Sequence, residues 1–438
     1  MKTAATLAAL CAAATLVHAA PNGIYNDSPS ARGMSLGGNE TAAAHSPLEA
    51  LSANPAALGE TERTAVDVGL FAGFADGEFH NDANPGGASF SETGVLPTGA
   101  ISTSFGPLRF GLAFYPKANL RADWEYRDAL GGLGGATTYG NQTQKSEILL
   151  LRTALGAAWR INETLSIGAS VGLLYNRNQL DAPYIFQSQP VLKGVKTRLN
   201  LETDGWSTDG QFGILWKPLA NLRMGVSYNT ETRVHTNGRA NGDANVQLKN
   251  VGLGAARSDF NYDAEVTNDF PQSVSVGLAW QPVAHLTVLG QFDWINWQDS
   301  FRTLSVHLRN GNNADLNGLV AANKLDDNIP LDWRDQFVLR AGLEYELTGA
   351  WTLRAGYSYS PNPVPSDTLT PLTAAIAEHT VGAGIGFKSG AFSLDAAWEW
   401  ALPVTEHVGN SALLDGEYSH SSVRVSTQWL ALTAGYKF

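Results

Sequence analysis

Residues 165–175 read Leu165-Ser166-Ile167-Gly168-Ala169-Ser170-Val171-Gly172-Leu173-Leu174-Tyr175. Leu165, Ile167, Ala169, Val171, Leu173 and Tyr175 share one face of an extended chain, while Ser166, Gly168, Ser170 and Gly172 share the other. Period two sustained over about ten residues predicts a strand with one apolar face. At 351–359, Trp351, Leu353, Ala355, Tyr357 and Tyr359 likewise oppose Thr352, Arg354, Gly356 and Ser358. The end of the chain repeats it, with Leu430, Leu432, Ala434, Tyr436 and Phe438 against Ala431, Thr433, Gly435 and Lys437. The pattern recurs in 66–74, 108–116, 149–159, 222–228, 274–280, 286–294, 337–345, 381–387 and 392–400, and segments near 95–105, 206–216 and 267–280 complete the pairs.

Alternation alone also suits a soluble sandwich. Two features point to lipid instead. The apolar faces end in aromatics, Trp159, Trp216, Trp280, Trp351 and Phe387 at one end and Tyr175, Tyr228, Trp294, Tyr359 and Trp400 at the other. Two such girdles around an apolar band of about 25 Å are what a membrane barrel requires. The opposite faces carry small and charged residues, among them Arg152, Arg340, Glu344, Arg354, Asp395 and Glu399, from which no soluble core can be built. Connections alternate between short turns, such as Gly106-Pro107 and Lys388-Ser389-Gly390, and long polar segments near 118–145, 176–204, 237–266, 309–332, 361–378 and 401–418. Short periplasmic turns and long outer loops orient the barrel. The expected fold is all-β, a closed antiparallel transmembrane barrel of about 14 strands, an even number with both ends periplasmic. Closure satisfies every backbone group, as lipid demands.

Composition agrees. The 438 residues carry 29 Lys and Arg against 41 Asp and Glu, a net charge of −12 with no basic block, which argues against a nucleic-acid partner. Only 16% of residues are charged, and 44% are hydrophobic, well short of disorder. The single Cys11 excludes a disulfide framework and a CxxC metal site. It falls in residues 1–19, where Lys2, an apolar stretch and small residues up to Ala19 form a secretory signal peptide. After residue 20 no apolar run is long enough for a transmembrane helix.

Residues 20–62 do not alternate. Ser46-Pro47-Leu48-Glu49 forms a capping box with Pro at the first helical position, and Asn54 caps a second short helix begun by Pro55 and Ala56. Gly33, Gly37 and Gly38 supply bends. Isolated helices this short are marginal in water, so the segment is expected to pack into the lumen as a plug, with residues 63–438 forming the barrel.

Several stretches together carry a resemblance: RGMSLGGNETAAAHSPLEALSANPAAL, FDWINWQDSF, IPLDWRDQFVLRAGLEYELTGAWTLRAGYSYSPNPVPSDTL and the terminal GYKF. The chain resembles the long-chain fatty-acid transporter (FadL-type) family of outer-membrane proteins over most of its mature length. The resemblance implies a 14-stranded barrel in the outer membrane of a Gram-negative bacterium, plugged by an N-terminal hatch that contains Asn54-Pro55-Ala56. It implies an inward kink in the third strand, about Leu108–Tyr115 with Gly111 as the bend, that opens the wall sideways. It implies passive uptake of hydrophobic compounds such as long-chain fatty acids, bound in the lumen and released laterally into the bilayer, with aromatic or alkane hydrocarbons as the alternative ligand. Tyr184 and Phe186, with Ile185, Val191 and Leu192, form an apolar cluster in a polar loop and are candidate ligand contacts. Arg152, Arg340 and Arg354 are candidate partners for a carboxylate, although Glu344 near Arg354 also suits a lumen ion pair. The terminal Phe438 is expected to engage the outer-membrane assembly machinery, and the protein to act as a monomer.

Enzymatic readings fare worse. Gly33-Met34-Ser35-Leu36-Gly37 matches G-x-S-x-G, but lacks the strand and helix that a nucleophile elbow needs. A barrel-type lipid hydrolase would require Ser beside His on the outer wall, which the outward positions do not hold. Asn313-x-Asp315-x-Asn317-Gly318 ends in Lys324 where a calcium loop needs Glu. No cofactor or metal is expected. A polar porin would have a charged constriction and an infolded loop rather than a helical plug.

Overall fold

The computed structural model describes residues 22–61 and 64–438. The expected signal peptide lies outside them. Eighteen antiparallel strand segments form one sheet. The first six are β1 (Ala65–Asn81), β2 (Asn84–Phe105), β3 (Leu108–Arg127), β4 (Asn141–Arg160), β5 (Leu165–Ile185) and β6 (Lys196–Leu219). Four barrel strands are then each built from two segments: β7 (Leu222–Asn229) with β8 (Thr232–Asp243), β9 (Asp259–Phe270) with β10 (Ser273–Val283), β11 (Leu286–Ile295) with β12 (Thr303–Arg309), and β13 (Leu325–Pro330) with β14 (Gln336–Glu346). The last four are β15 (Trp351–Tyr359), β16 (His379–Ser389), β17 (Phe392–His407) and β18 (Ser422–Lys437). The wall is therefore a closed barrel of 14 strands. β18 returns to β1 in unbroken register from Ala65↔Lys437 to His80↔Ser422.

Through the membrane band the apolar residues face out. Along β5, Val171 is 63% exposed and Leu173 47%, while Ser166, Ser170 and Gly172 are buried inside. Trp159, Trp216, Trp280 and Trp351 remain exposed in the periplasmic girdle, one near the end of each of four strands.

Beyond the band the alternation reverses. Phe260, Tyr262, Ala264 and Val266 of β9 turn inward and Asn261, Asp263 and Glu265 outward. Leu199 and Leu201 of β6 do the same. The segments expected to be long polar loops are thus in large part strand, for example β5 to Ile185 and β6 from Lys196. Polar residues there face water rather than lipid, and the apolar residues leave the wall to build a chamber above the membrane.

Candidate functional site

The hatch is built from short helices that persist because the wall holds them. Ser30 caps α1 (Ala31–Ser35) by accepting from the Gly33 amide, and Ser46 caps α2 (Pro47–Ala53) by accepting from the Glu49 amide. Asn54 Oδ1 accepts from the Ala56 amide at 3.1 Å and starts a 3₁₀ helix (Pro55–Glu60). The same side chain ties hatch to wall: its Nδ2 donates to Thr41 O at 2.7 Å and to Ile214 O of β6 at 3.1 Å. Gly37 and Gly38 have φ of 64° and 75° and make the expected bend. Gly33 does not bend the chain. It lies inside α1, where a side chain would run into Glu40 and Ser28.

The inner wall is cut to fit this plug. A Cβ at Gly168 would lie 2.5 Å from Ala56 N, and one at Gly382 2.5 Å from Met34 O. Side chains at Gly213, Gly225 and Gly356 would collide with Asn54, Thr41 and Leu36 respectively. Ion pairs fasten the same surface. Arg32 binds Glu344 at 2.9 Å and Glu49 at 3.1 Å, and Arg354 binds Glu344 at 2.6 Å and Asp395 at 2.7 Å. Within the hatch, Ser30 Oγ lies within hydrogen-bonding distance of both Glu40, at 3.1 Å, and Glu49, at 3.2 Å, with one proton to give. Burial, aided by the Glu49 charge, pushes the Glu40 carboxyl up to about 8.

One stretch of wall is open. β2 and β3 pair only from Phe105↔Leu108 to Gly99↔Phe114. From Tyr115 onward β3 stays with β4 and leaves β2, with an extra residue, Lys117, bulged between Pro116 and Ala118. The two strands meet again at Asn84 and Arg127, which exchange hydrogen bonds of 2.8 and 2.9 Å. The result is a window bounded at both ends. Hatch residues take over as partners of the departing strand: Asn26 N donates to Lys117 O at 3.3 Å and Asn119 N to Ile24 O at 2.8 Å. Lys117 Nζ is drawn inward to Asp209 Oδ2 of β6 at 2.7 Å, over the intervening β4 and β5.

The bend is therefore not at Gly111. That residue pairs on both sides, opposite Ser102 and Gly156, and its missing Cβ makes room for Leu51 and Leu58 of the hatch, 3.0 and 3.1 Å away. Pro116 lacks an amide hydrogen, so the ladder is weakest five residues further on.

Above the hatch lies an outer chamber of about 1390 Å³, part of it open to the outside. Leu180, Leu199, Leu201, Val266, Leu304 and Val306 are among its apolar walls. Tyr184, Ile185 and Phe186 line it as well. Leu192 is buried beside this region, whereas Val191 is 54% exposed. Asp327 holds the loop over the chamber, accepting from the Gln187 and Gln189 amides at 2.8 and 3.0 Å and from the Tyr184 hydroxyl. Trp333, two residues beyond the lining residue Leu331, packs edge-on to Trp297 at 5.2 Å and tilted against Phe301 at 4.8 Å. Trp297 packs in turn, tilted, against Tyr25 of the hatch at 5.0 Å.

The three arginines considered for a carboxylate all have partners. Arg152 Nε is 2.8 Å from Asp209, and its NH1 donates to Leu51 O and the Tyr115 hydroxyl. Arg340 binds Asp293 at 2.6 Å, Asp27 of the hatch, and Gly37 O at 2.7 Å. Arg354 is shared between Glu344 and Asp395 as given above. Sequence reading missed Lys117 and Asp209, because they lie on β3 and β6, strands separated by β4 and β5, and no local pattern pairs them. The three-residue departure from alternation at Tyr115-Pro116-Lys117 was the one local signal.

The model of the outer-membrane protein transport family, described as OMPP1/FadL/TodX, matches residues 10–438. The chain belongs to this family. It is 21% identical over 348 residues to the long-chain fatty acid transport protein of Escherichia coli O6:H1, covering 72% of each chain. A FadL homologue from Pseudomonas aeruginosa has the same fold, with a TM-score of 0.75 at 18% identity, 95% of this chain and all of that one superimposing. So does the toluene transporter TodX of Pseudomonas putida, with a TM-score of 0.75 at 21% identity over 95% of this chain and all of that one. The family places the protein in the outer membrane of Gram-negative bacteria, as expected from the girdles and the closed wall.

Proposed function

We propose that this FadL/TodX-family barrel takes small hydrophobic compounds across the outer membrane passively, and that it is a transporter rather than an enzyme. The ligand enters the outer chamber, where Tyr184 and Phe186 contact it, passes the Trp297–Tyr25 pair when the hatch N-terminus shifts, and leaves through the window between β2 and β3 into the bilayer. The observation that carries this reading is the pairing of Ile24 and Asn26 with Asn119 and Lys117, which makes one hatch segment both the floor of the route and the edge of its exit. Burying about 200 Å² of apolar ligand surface supplies roughly 5 kcal/mol, enough to bind without an energy source. The curated relative transports long-chain fatty acids and TodX toluene. With Arg152, Arg340 and Arg354 already in ion pairs, the lumen favours an uncharged compound over a carboxylate.

Uptake of labelled toluene, oleate and a small sugar into porin-deficient outer-membrane vesicles tests it. Protein-dependent entry of toluene above oleate, with none of the sugar, is expected. Entry of the sugar at a rate like that of toluene would overturn the reading in favour of a polar pore.

A further inference from the structure

We propose that Asp327 fills an anion nest in the wall of the outer chamber with the chain's own carboxylate, and so sets the chamber's preference for uncharged compounds over fatty carboxylates. β13 turns Leu325, Asp327 and Ile329 toward the chamber, so the charge stands where both of its neighbours on that face are apolar. Across the strand pair it faces Val306 of β12, another apolar lining residue.

Five donors converge on this one side chain. Oδ1 accepts from the Ser188 amide at 2.5 Å, the Ser188 hydroxyl at 2.8 Å and the Gln189 amide at 3.0 Å. Oδ2 accepts from the Gln187 amide at 2.8 Å and from the Tyr184 hydroxyl. The Ser188 hydroxyl is oriented for this, because its oxygen accepts from the Asn328 amide at 2.7 Å. Three successive amides aimed at one point make the kind of concavity that binds anions. Asp326 next door takes His307 and Arg309 on the outer face. Asp327 itself is buried and meets no cation among the described residues, so the donors alone offset its burial.

The rest of the chamber has little to offer an anion. No Lys, Arg or His is among its lining residues, and its other two acids are matched from outside the lining, Glu147 by Arg177 at 2.5 Å and Glu417 by Lys196 at 2.6 Å. A guest carboxylate beside Asp327 would meet like charge, find the nest's donors spent and leave its own hydration behind. An alcohol or an arene loses far less. Without the Asp327 carboxylate, the same five donors would face a wall of Leu304, Val306, Leu325 and Ile329 suited to an alkyl tail. The chamber would then hold a fatty carboxylate by its head. This inference rests on the outer chamber being the ligand's way in.

The test uses hexanoate and 1-hexanol, which share a tail length and differ in the head group. Calorimetry on the purified barrel compares wild type, Asp327→Gly, Asp327→Ala and Asp327→Asn, after heat-modifiable migration shows each barrel folded. Wild type is expected to bind 1-hexanol about tenfold more tightly than hexanoate. Asp327→Gly and Asp327→Ala should bind hexanoate about tenfold more tightly than wild type does, of the size one charge-assisted hydrogen bond supplies, with little change for 1-hexanol. Asp327→Asn keeps the space filled and should gain nothing. Acetate, set against equal chloride, should restore protease resistance to residues 186–195 in Asp327→Gly but not in Asp327→Asn. A residue that only braces the loop would lose that resistance in every variant and gain no anion. Hexanoate bound by wild type as tightly as 1-hexanol, no gain in the Gly and Ala variants, or no effect of acetate on Asp327→Gly overturns the assignment. The gain in hexanoate binding without protein-dependent uptake of toluene by wild type would instead support the assignment and overturn the transport reading.

Discussion

The lower and upper halves of the lumen are built on opposite plans. Below, backbone presses on backbone: Gly168 and Gly382 leave no space for a single carbon, and buried ion pairs join hatch to wall. Above, much of the chamber wall is leucine, valine and isoleucine that can repack around a guest, with polar residues such as Asn178, Asn268 and Asp327 among them. The lower half is specified atom by atom and the upper half only by volume and polarity. Uniqueness belongs to the part that must hold still, and tolerance to the part that must accept what arrives.

The largest effect is expected from filling the glycine seat. Gly356→Val would drive a side chain into Leu36 and Gly37. The hatch should be expelled from an otherwise intact, heat-modifiable barrel, with protease cutting within residues 22–61 and a new leak of small sugars. Protection equal to wild type would show that the hatch is not seated on the wall.

Next in size is Arg152→Leu. Asp209 would keep only Lys117, and the Leu51 carbonyl only the Tyr115 hydroxyl. Breaking a buried pair costs ~3–5 kcal/mol, read as a lowered midpoint for hatch release in urea. Asn54→Ala comes third. It removes a cap and two tethers, and should cost ~1–2 kcal/mol; uptake should fall at matched protein levels while the barrel stays folded.

Glu40 adds a pH test. Its carboxyl stands at about 8 in the docked hatch, with Glu49 and Arg32 facing it, against an ordinary value of 4.5. Docking thus favours the protonated form. Its contribution is full below 4.5 and is lost as pH rises toward 8. His45, beside Arg32, is shifted down to about 4 and acts in the opposite sense from there to 6.5, although it is exposed at the mouth. The clean window is therefore 6.5 to 8. Hatch protection should decline across it, and Glu40→Gln should flatten the decline. The smallest effect is expected from Leu304→Ala in the outer chamber, a few-fold loss in ligand affinity at most. A loss as large as that from Gly356→Val would erase the contrast between the two halves.

The wall was legible where lipid enforces a period of two, as at 165–175 and 351–359. It was hidden above the membrane, where Phe260, Tyr262 and Ala264 face inward and the same alternation has the opposite meaning. The caps Ser46 and Asn54 were readable because capping is local. Gly111 was misread for the converse reason. A glycine in a strand signals either a bend or a close neighbour, and the neighbours, Leu51 and Leu58, are distant in sequence. The arginines could be placed on the inner face, and Glu344 could be set beside Arg354 across one hairpin, as the structure has it; Asp209 and Asp27, which hold Arg152 and Arg340, come from elements that alternation cannot pair with theirs.

The seam between β1 and β18 bears on the order of events during assembly. Glu78 and Arg424, 346 residues apart, meet across it, and the Phe438 amide donates to Thr64 O at 2.8 Å. Contacts so distant in sequence carry the greatest loop-closure penalty and form late. The hatch precedes β1 in the chain and ends enclosed by a ring whose glycines press against it. Its easiest capture is while the ring is still unsealed. A weak seat would then appear twice, as seated hatches that urea or pH releases more readily and as a fraction of barrels that close empty.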